Sequence, residues 1–204
     1  MSCEQCLGLE RVFDDRAARA DLRRYRRRGP QRTTKIMVDV LIAEGIVAAT
    51  VLDIGGGVGA IPNAMIRAGA RSARLVDASA AYLATARDEA ERQGHLERMS
   101  FRFGDFVGVA AEEPAAEVVT LDRVICCYDD MEALVSASTA RAERLYGLVY
   151  PRDSWWNRLV EPGRREGSQP RVEARARHLP GVHTPSGEGR TADRGAGFAA
   201  RVPP

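Results

Sequence analysis

Residues 48–160 predict an α/β domain, a doubly wound parallel sheet with helices on both faces, and three observations carry the prediction. Short apolar runs alternate with stretches of helical periodicity, the pattern of strands joined by crossover helices. The first run leads into VLDIGGGVGA at 51–60, which reads as a strand, a bare turn and a helix start. The first three strands also end on or beside an aspartate, at Asp53, Asp77 and Asp105.

The elements follow in order. Residues 1–47 form a separate helical segment with a basic stretch: RVFDDRAARADLRRYRRRG is rich in helix formers and stops at Gly29 and Pro30. Thr33 or Thr34 then caps a second helix, whose Ile36, Met37, Val40, Leu41 and Ile42 supply one apolar face. ATVLDI is strand one. The helix after Gly59 carries Ile61, Ala64, Met65 and Ala68 on one side, with Pro62 in its first turn and Gly69 near its end. ARLVD is strand two, and Ser79 caps a helix over 80–93 that Gly94 closes. MSFRF, EVVTL and RLYGLVY are strands three, four and five. Met131 to Arg144 reads as the helix between the last two, and a short helix after Pro151 holds Trp155 and Trp156, as a substrate wall or as core packing. Residues 161–204 then hold seven glycines and six prolines but only five large apolar side chains, which predicts a low-complexity, disordered tail.

Composition narrows the function classes. With 45% hydrophobic and 28% charged residues the chain is globular in type, and no apolar run approaches the ~18 residues of a membrane span. The N-terminus lacks the pattern of a signal peptide, so a cytoplasmic address is the expectation. The basic run Arg23, Arg24, Arg26, Arg27 and Arg28 has no nucleic-acid motif around it and reads as a solvated helix face, which disfavours a nucleic-acid partner. Cys3 and Cys6 make half of a metal site with no second pair at suitable spacing, so no metal is expected. Cys126 and Cys127 read as small buried residues lining a pocket, and His95 as a surface residue.

The glycine turn narrows them further. Glycine takes positive φ and lets a ligand touch the backbone, while the free amides at the following helix start face that ligand. Gly55, Gly57 and Ala60 fit a dinucleotide fingerprint; Gly55, Gly57 and Gly59 fit the turn that binds S-adenosyl-L-methionine. Asp53 tilts the choice. A carboxylate there repels a pyrophosphate but suits a ligand whose amino group and sulfonium are cationic. Asp77, 20 residues after Gly57, is placed to accept from both hydroxyls of a ribose in either cofactor class. Asp105 ends strand three within reach of an adenine amino group, with Phe106 beside the base.

These residues make the chain resemble the class I S-adenosylmethionine-dependent methyltransferases, over about residues 10–160 and most strongly in VLDIGGGVGA, LVDAS, GDF and LDRVICCYDDMEALV. The resemblance implies a Rossmann-like fold, with Asp53, Gly55, Gly57 and Gly59 around the methionine part of the cofactor, Asp77 on its ribose, and Asp105 and Phe106 on its adenine. It also implies that Leu121 to Tyr128 lines the methyl-transfer side. RRYRRRGPQRTTK resembles the N-terminal cap that closes over the cofactor in a bacterial subgroup, which also shares a stretch like YPRDSWW. The family's last two strands form an antiparallel hairpin beyond strand five; here the tail predicts its absence and an uncovered strand edge. With 29 arginines and Lys35 as the single lysine, the gene is read as GC-rich, and a reading-frame shift near Val160 or a divergent tail are the two explanations.

The expected activity is methyl transfer to a small-molecule acceptor, with Asp122 and Tyr128 as candidate bases beyond strand four. The alternatives are an NAD(P)-dependent oxidoreductase, which Asp53 disfavours, and a non-catalytic or truncated protein that binds an adenosyl cofactor.

Overall fold

The computed structural model describes residues 13–150 and the backbone of 200–201. Two helices come first, α1 (Asp15–Arg28) and α2 (Arg32–Ala43). The sheet then alternates with helices: β1 (Thr50–Ile54), α3 (Ala60–Arg67), β2 (Ser72–Asp77), α4 (Ala80–Arg92), β3 (Met99–Phe103), α5 (Phe106–Val109), β4 (Ala116–Asp122), α6 (Met131–Thr139) and β5 (Ala142–Val149). A two-residue β6 (Ala200–Arg201) ends the series. The strand order is β3-β2-β1-β4-β5-β6, parallel except for the last pair.

Alternating side chains send each strand's apolar residues to two cores. Val51, Val118 and Leu145 pack with Met37 and Leu41 of α2 and Met65 of α3. Leu52, Ile54, Val119 and Leu121 pack on the other face with Phe106 and Leu134. The sheet is therefore doubly wound, as the alternation in the sequence requires. α2 lies so close to β5 that a Cβ at Gly147 would come within 2.9 Å of the Met37 sulfur.

Several boundaries move. Thr33 and Thr34 do not cap α2; the helix begins at Arg32 with Gln31 as cap residue, which frees the Thr34 hydroxyl for another partner. Ser79 does cap its helix, accepting from the Tyr82 amide at 3.2 Å. α6 stops at Thr139 and not Arg144, because Ala142 and Glu143 already belong to β5 and the Ala116 amide bonds to the Arg141 carbonyl. The edge of β5 is not bare throughout: Ala200 and Arg201 pair antiparallel with Tyr146 and Leu145. Among the described residues β6 is one short strand and not a hairpin. The helix expected around Trp155 and Trp156, the Cys3 and Cys6 pair, and all but two residues of the 161–204 tail lie outside the described residues.

α1 packs against α4 and is held there by a polar contact. Asp14 caps it through the Ala17 amide at 2.8 Å, and Arg26 reaches the carboxylate of Glu89 on α4, also at 2.8 Å. Glu89 is fully buried and takes further bonds from Arg92 and Gln93. Burial alone would raise its pKa, but these donors and the Arg26 charge win and hold it at about 2. Arg23, Arg27 and Arg28 face solvent, so most of the basic run is a solvated face.

Because the folded Glu89 pKa lies below its ordinary value, its stabilisation is complete above about pH 4.5 and is lost as the pH falls toward 2. Glu89→Gln is expected to flatten that acid limb and to lower stability at pH 7 by about 2 kcal/mol, the scale of a charged hydrogen bond. Urea midpoints between pH 3 and 7 measure both; an unchanged acid limb would show that Glu89 does not anchor α1 and α4.

Candidate functional site

The C-terminal ends of β1, β2 and β4 open into one crevice, where the chain crosses from one side of the sheet to the other. The turn after β1 forms its floor. Gly55, Gly57 and Gly59 have φ of 63°, 55° and 74°, the left-handed region that disfavours side chains. Gly56 answers a different need: a Cβ there would lie 2.8 Å from Leu75 and collide with Oδ2 of Asp53. The Gly57 amide donates to Asp77 Oδ2 at 3.0 Å, and the Ser79 amide donates to Oδ1 at 2.8 Å, so Asp77 ties the turn to the end of β2. Burial raises the Asp77 pKa, with the two backbone bonds working in the other direction.

A cavity of about 420 Å³ sits over this turn, within the size range of cofactor sites. Gly55, Gly57, Asp77, Asp105, Phe106, Asp122 and Tyr128 all line it, so seven of the nine residues singled out from the sequence converge on one space. Asp53 and Gly59 do not. Both are buried beneath the turn. Asp53 Oδ1 accepts from Thr120 at 2.7 Å, while Oδ2 has no partner among the described residues. Burial, with smaller contributions from Asp122 and Asp77, pushes the Asp53 pKa up to about 8 against the Thr120 bond.

Further groups hold the walls; Arg123 falls within the 121–128 stretch expected to line the methyl-transfer side, whereas Thr34 and Tyr82 were not expected here. Thr34 of α2 donates to Asp122 Oδ2 at 2.6 Å. Arg123 grips the same carboxylate through Nε and Nη2, both at 3.0 Å, and its own φ of 61° is unusual for a side-chain-bearing residue. Tyr82 donates to Asp21 of α1 at 2.7 Å, and the Ser79 hydroxyl donates to the Phe13 carbonyl at the same distance. Phe13, Asp21 and Arg24 thus bring α1 to the cavity wall. Arg24 pairs with Asp21 at 3.2 Å. Asp105, expected from the sequence on the adenine side, is engaged as well: Tyr128 donates to its Oδ1 at 2.7 Å. From the sequence Thr34 reads as a helix cap and Tyr82 only as part of the helix expected over 80–93; neither carries a sequence signal for a site.

His95 is half-buried and not a free surface group. Its Nδ1 lies 2.8 Å from Asn63 Oδ1, and the Asn63 amide group donates to the Gly59 carbonyl at 2.9 Å, so the ring carries its proton on Nδ1 and buttresses the turn from behind. Burial, then Arg67 and Arg98, lowers its pKa.

Residues 51–145, from β1 into β5, match the sequence family described as a methyltransferase domain. Residues 51–145 thus carry a methyltransferase domain, built on the doubly wound parallel sheet described above. Among solved structures the chain is similar to magnesium protoporphyrin IX methyltransferase from Synechocystis PCC 6803 with bound S-adenosylhomocysteine, at 22% identity, a TM-score of 0.54, and 67% and 63% coverage of this chain and that one. An O-methyltransferase family protein from Burkholderia thailandensis gives 20% identity and a TM-score of 0.57, over 72% of this chain and 45% of the other. A methyltransferase from Thiobacillus denitrificans, again with S-adenosylhomocysteine, gives 19% and 0.50 over 58% and 50%. The chain spans less than two thirds of the length of these three structures. No curated protein matches the sequence.

The residues present fit the family's cofactor, S-adenosylmethionine. The bare glycine turn admits close approach, and the unpartnered Asp53 Oδ2 leaves uncompensated acceptor character under the place where a cationic ligand would rest. Without ligand that buried carboxyl sets a pH dependence for the methyltransferase domain. Its folded pKa lies above its unfolded value, so its contribution to stability is greatest below about pH 4 and falls as the pH rises to about 8. Asp53→Asn keeps the acceptor for Thr120 and removes the ionisation; it is expected to flatten this decline. Denaturant midpoints at pH 5, 7 and 9 check it, and a wild-type profile no steeper than the variant's would show that Asp53 ionises freely in the fold.

Proposed function

We propose that the protein is an active methyltransferase that transfers the methyl group of S-adenosylmethionine to a carboxylate of a small-molecule acceptor. The observation that carries this reading is the engagement of both candidate bases. Asp122 is held by Thr34 and by two bonds from Arg123, and the Tyr128 hydroxyl is spent on Asp105. A nucleophile that must first lose a proton needs a base; a carboxylate, with an ordinary pKa near 4, arrives ionised.

The bound cofactor supplies a methyl group already activated by its sulfonium. The chain's task is then placement. Holding two reactants in near-attack geometry supplies roughly 7–11 kcal/mol, against about 3–5 kcal/mol for a base worth ~10²–10⁴ in rate. In this reading Gly55, Gly57 and Asp77 hold the cofactor with Asp53 beneath them, Asp105 and Phe106 bound its adenine end, and Asp122 orients Arg123, whose remaining N–H groups receive the acceptor's carboxylate. Residues 1–47 serve as a cap over the site and 48–160 as the cofactor domain, to whose sheet Ala200 and Arg201 of the 161–204 segment add β6. The likeness to a magnesium protoporphyrin IX methyltransferase makes a magnesium porphyrin with carboxylate side chains the first acceptor to assay. The free Cys126 and Cys127 suit a reducing compartment such as the cytoplasm.

A second reading rests on the 2.7 Å bond from Tyr128 to Asp105. If the acceptor is a hydroxyl, Tyr128 takes its proton while Asp105 receives the tyrosine's own. The two readings differ in one variant. Under carboxylate methylation, Tyr128→Phe leaves the rate within a few fold; under the relay it costs ~10²–10⁴.

Calorimetric titration with S-adenosylmethionine, S-adenosylhomocysteine and NADH is expected to show saturable binding of the first two alone. Asp77→Ala is expected to weaken that binding at least about tenfold, or roughly 1.4 kcal/mol, with the circular dichroism spectrum unchanged. Turnover of carboxylic acids should then yield a base-labile methyl ester. An ether or amine product would overturn the acceptor assignment, and cofactor binding with no turnover on any acceptor would identify a non-catalytic binding protein.

A further inference from the structure

The turn after β4 carries a feature that methyl transfer to a carboxylate does not use. Ile125–Cys127 form one tight helical turn, and it brings Cys126 Sγ within 3.6 Å of Cys127 Sγ. The Cys126 thiol donates to the Arg123 carbonyl at 3.2 Å, which holds its side chain in place. Both cysteines line the cavity as expected, but neither is buried: Cys126 is half-buried, and Cys127, on a short turn at the cavity mouth, is exposed and open to small reagents. We propose that Cys126 and Cys127 form a chelating dithiol site for trivalent arsenic, in which one arsenic atom bridges both sulfurs at the cavity wall.

Geometry separates this ligand from its competitors. A disulfide needs its sulfurs at about 2.05 Å, so oxidation would require this turn to deform, whereas a single bridging atom fits between sulfurs already held apart. Tetrahedral and harder cations need three or more ligands, and no such group of His, Cys, Asp and Glu occurs among the described residues.

Protonation points the same way. Burial, then the neighbouring Cys126, pushes the Cys127 thiol up to about 11, so its thiolate is scarce at neutral pH. Exchange with a disulfide depends on the thiolate. The overall equilibrium with trivalent arsenic consumes two neutral thiols and releases no net proton, so a raised thiol pKa does not oppose it. An arsonous acid R–As(OH)₂ reacts with two thiols to give R–As(SR′)₂ and two waters: two As–O and two S–H bonds break, two As–S and two O–H bonds form, and arsenic stays trivalent. No oxidant, reductant or net proton is needed.

The test uses the full chain carrying Cys3→Ser and Cys6→Ser, which leaves Cys126 and Cys127 as its only cysteines. Phenylarsine oxide, which hydrates to the arsonous acid, is expected to give one adduct per chain by intact mass, with two waters lost. A dithiol should remove it and a monothiol should not. Cys127→Ser and Cys126→Ala, each added to that background, should lose this resistance to monothiol. Prior saturation with S-adenosylhomocysteine should slow adduct formation at least about tenfold, because the thiols share the cofactor's cavity. Glutathione disulfide should leave the pair reduced. Absence of an adduct, an equally resistant adduct in either single variant, equal rates with saturating S-adenosylhomocysteine, or ready closure to an internal disulfide would each overturn the proposal. If S-adenosylhomocysteine does not bind at all, the cofactor reading fails instead, and the mass measurements still decide the dithiol.

Discussion

The close passage of the backbone over the buried carboxyl of Asp53 is the constraint on which the site depends. At Gly56 there is no room for a Cβ between that carboxyl and Leu75, so the chain after β1 can take its path only with glycine there. The left-handed conformations at 55, 57 and 59 follow from the same tight path. Once the turn lies there, the Gly57 amide reaches Asp77 and the end of β2 is locked to the end of β1. The Gly59 carbonyl meets Asn63, and through it His95. One carboxyl below the turn and one beside it thus shape the floor of the cavity, and an amide and an imidazole support it from behind.

The walls are assembled from farther away. α1 and α2 are attached through side chains that also line the cavity: Tyr82 of α4 binds Asp21 of α1, Ser79 binds Phe13 just before α1, and Asp122 at the end of β4 binds Thr34 of α2. Glu89 anchors α1 outside the cavity with a buried charge that three donors satisfy. Moving α1 would therefore break bonds to the cavity wall itself, so the position of the N-terminal helices and the shape of the binding space are one structural problem. Two apolar cores on opposite faces of the sheet keep the polar attachments in register.

Charge is distributed by pairing. Asp77 takes two backbone amides, Asp122 takes a hydroxyl and a guanidinium, and Asp105 takes the tyrosine hydroxyl. Asp53 alone among these acids keeps a fully buried oxygen without a partner among the described residues, and burial raises its pKa to about 8. In the reading proposed above, such a site suits a cationic ligand at the turn and an acceptor that arrives already ionised.

The order of strands and helices, the glycine turn and the acids at the strand ends were legible in the sequence because each is local. Period-two and helical patterns, bare backbone and strand termini depend on neighbours a few residues away, and seven of the nine residues chosen on that basis do line the cavity. What the sequence left open was long-range. Thr34 and Asp122 are 88 residues apart and Tyr82 and Asp21 are 61 apart, so neither pair has a sequence pattern. A threonine near a helix start looks like a cap until the fold offers it a carboxylate. Asp53 was placed in contact with the ligand on chemical grounds, and only packing decided that it lies under the turn and not in the cavity wall. By itself the sequence determined the fold class, the cofactor chemistry and the turn that serves it. The tertiary structure decided which side chains close the site and which acids are free to react, because those depend on contacts between segments that only the folded sheet brings together.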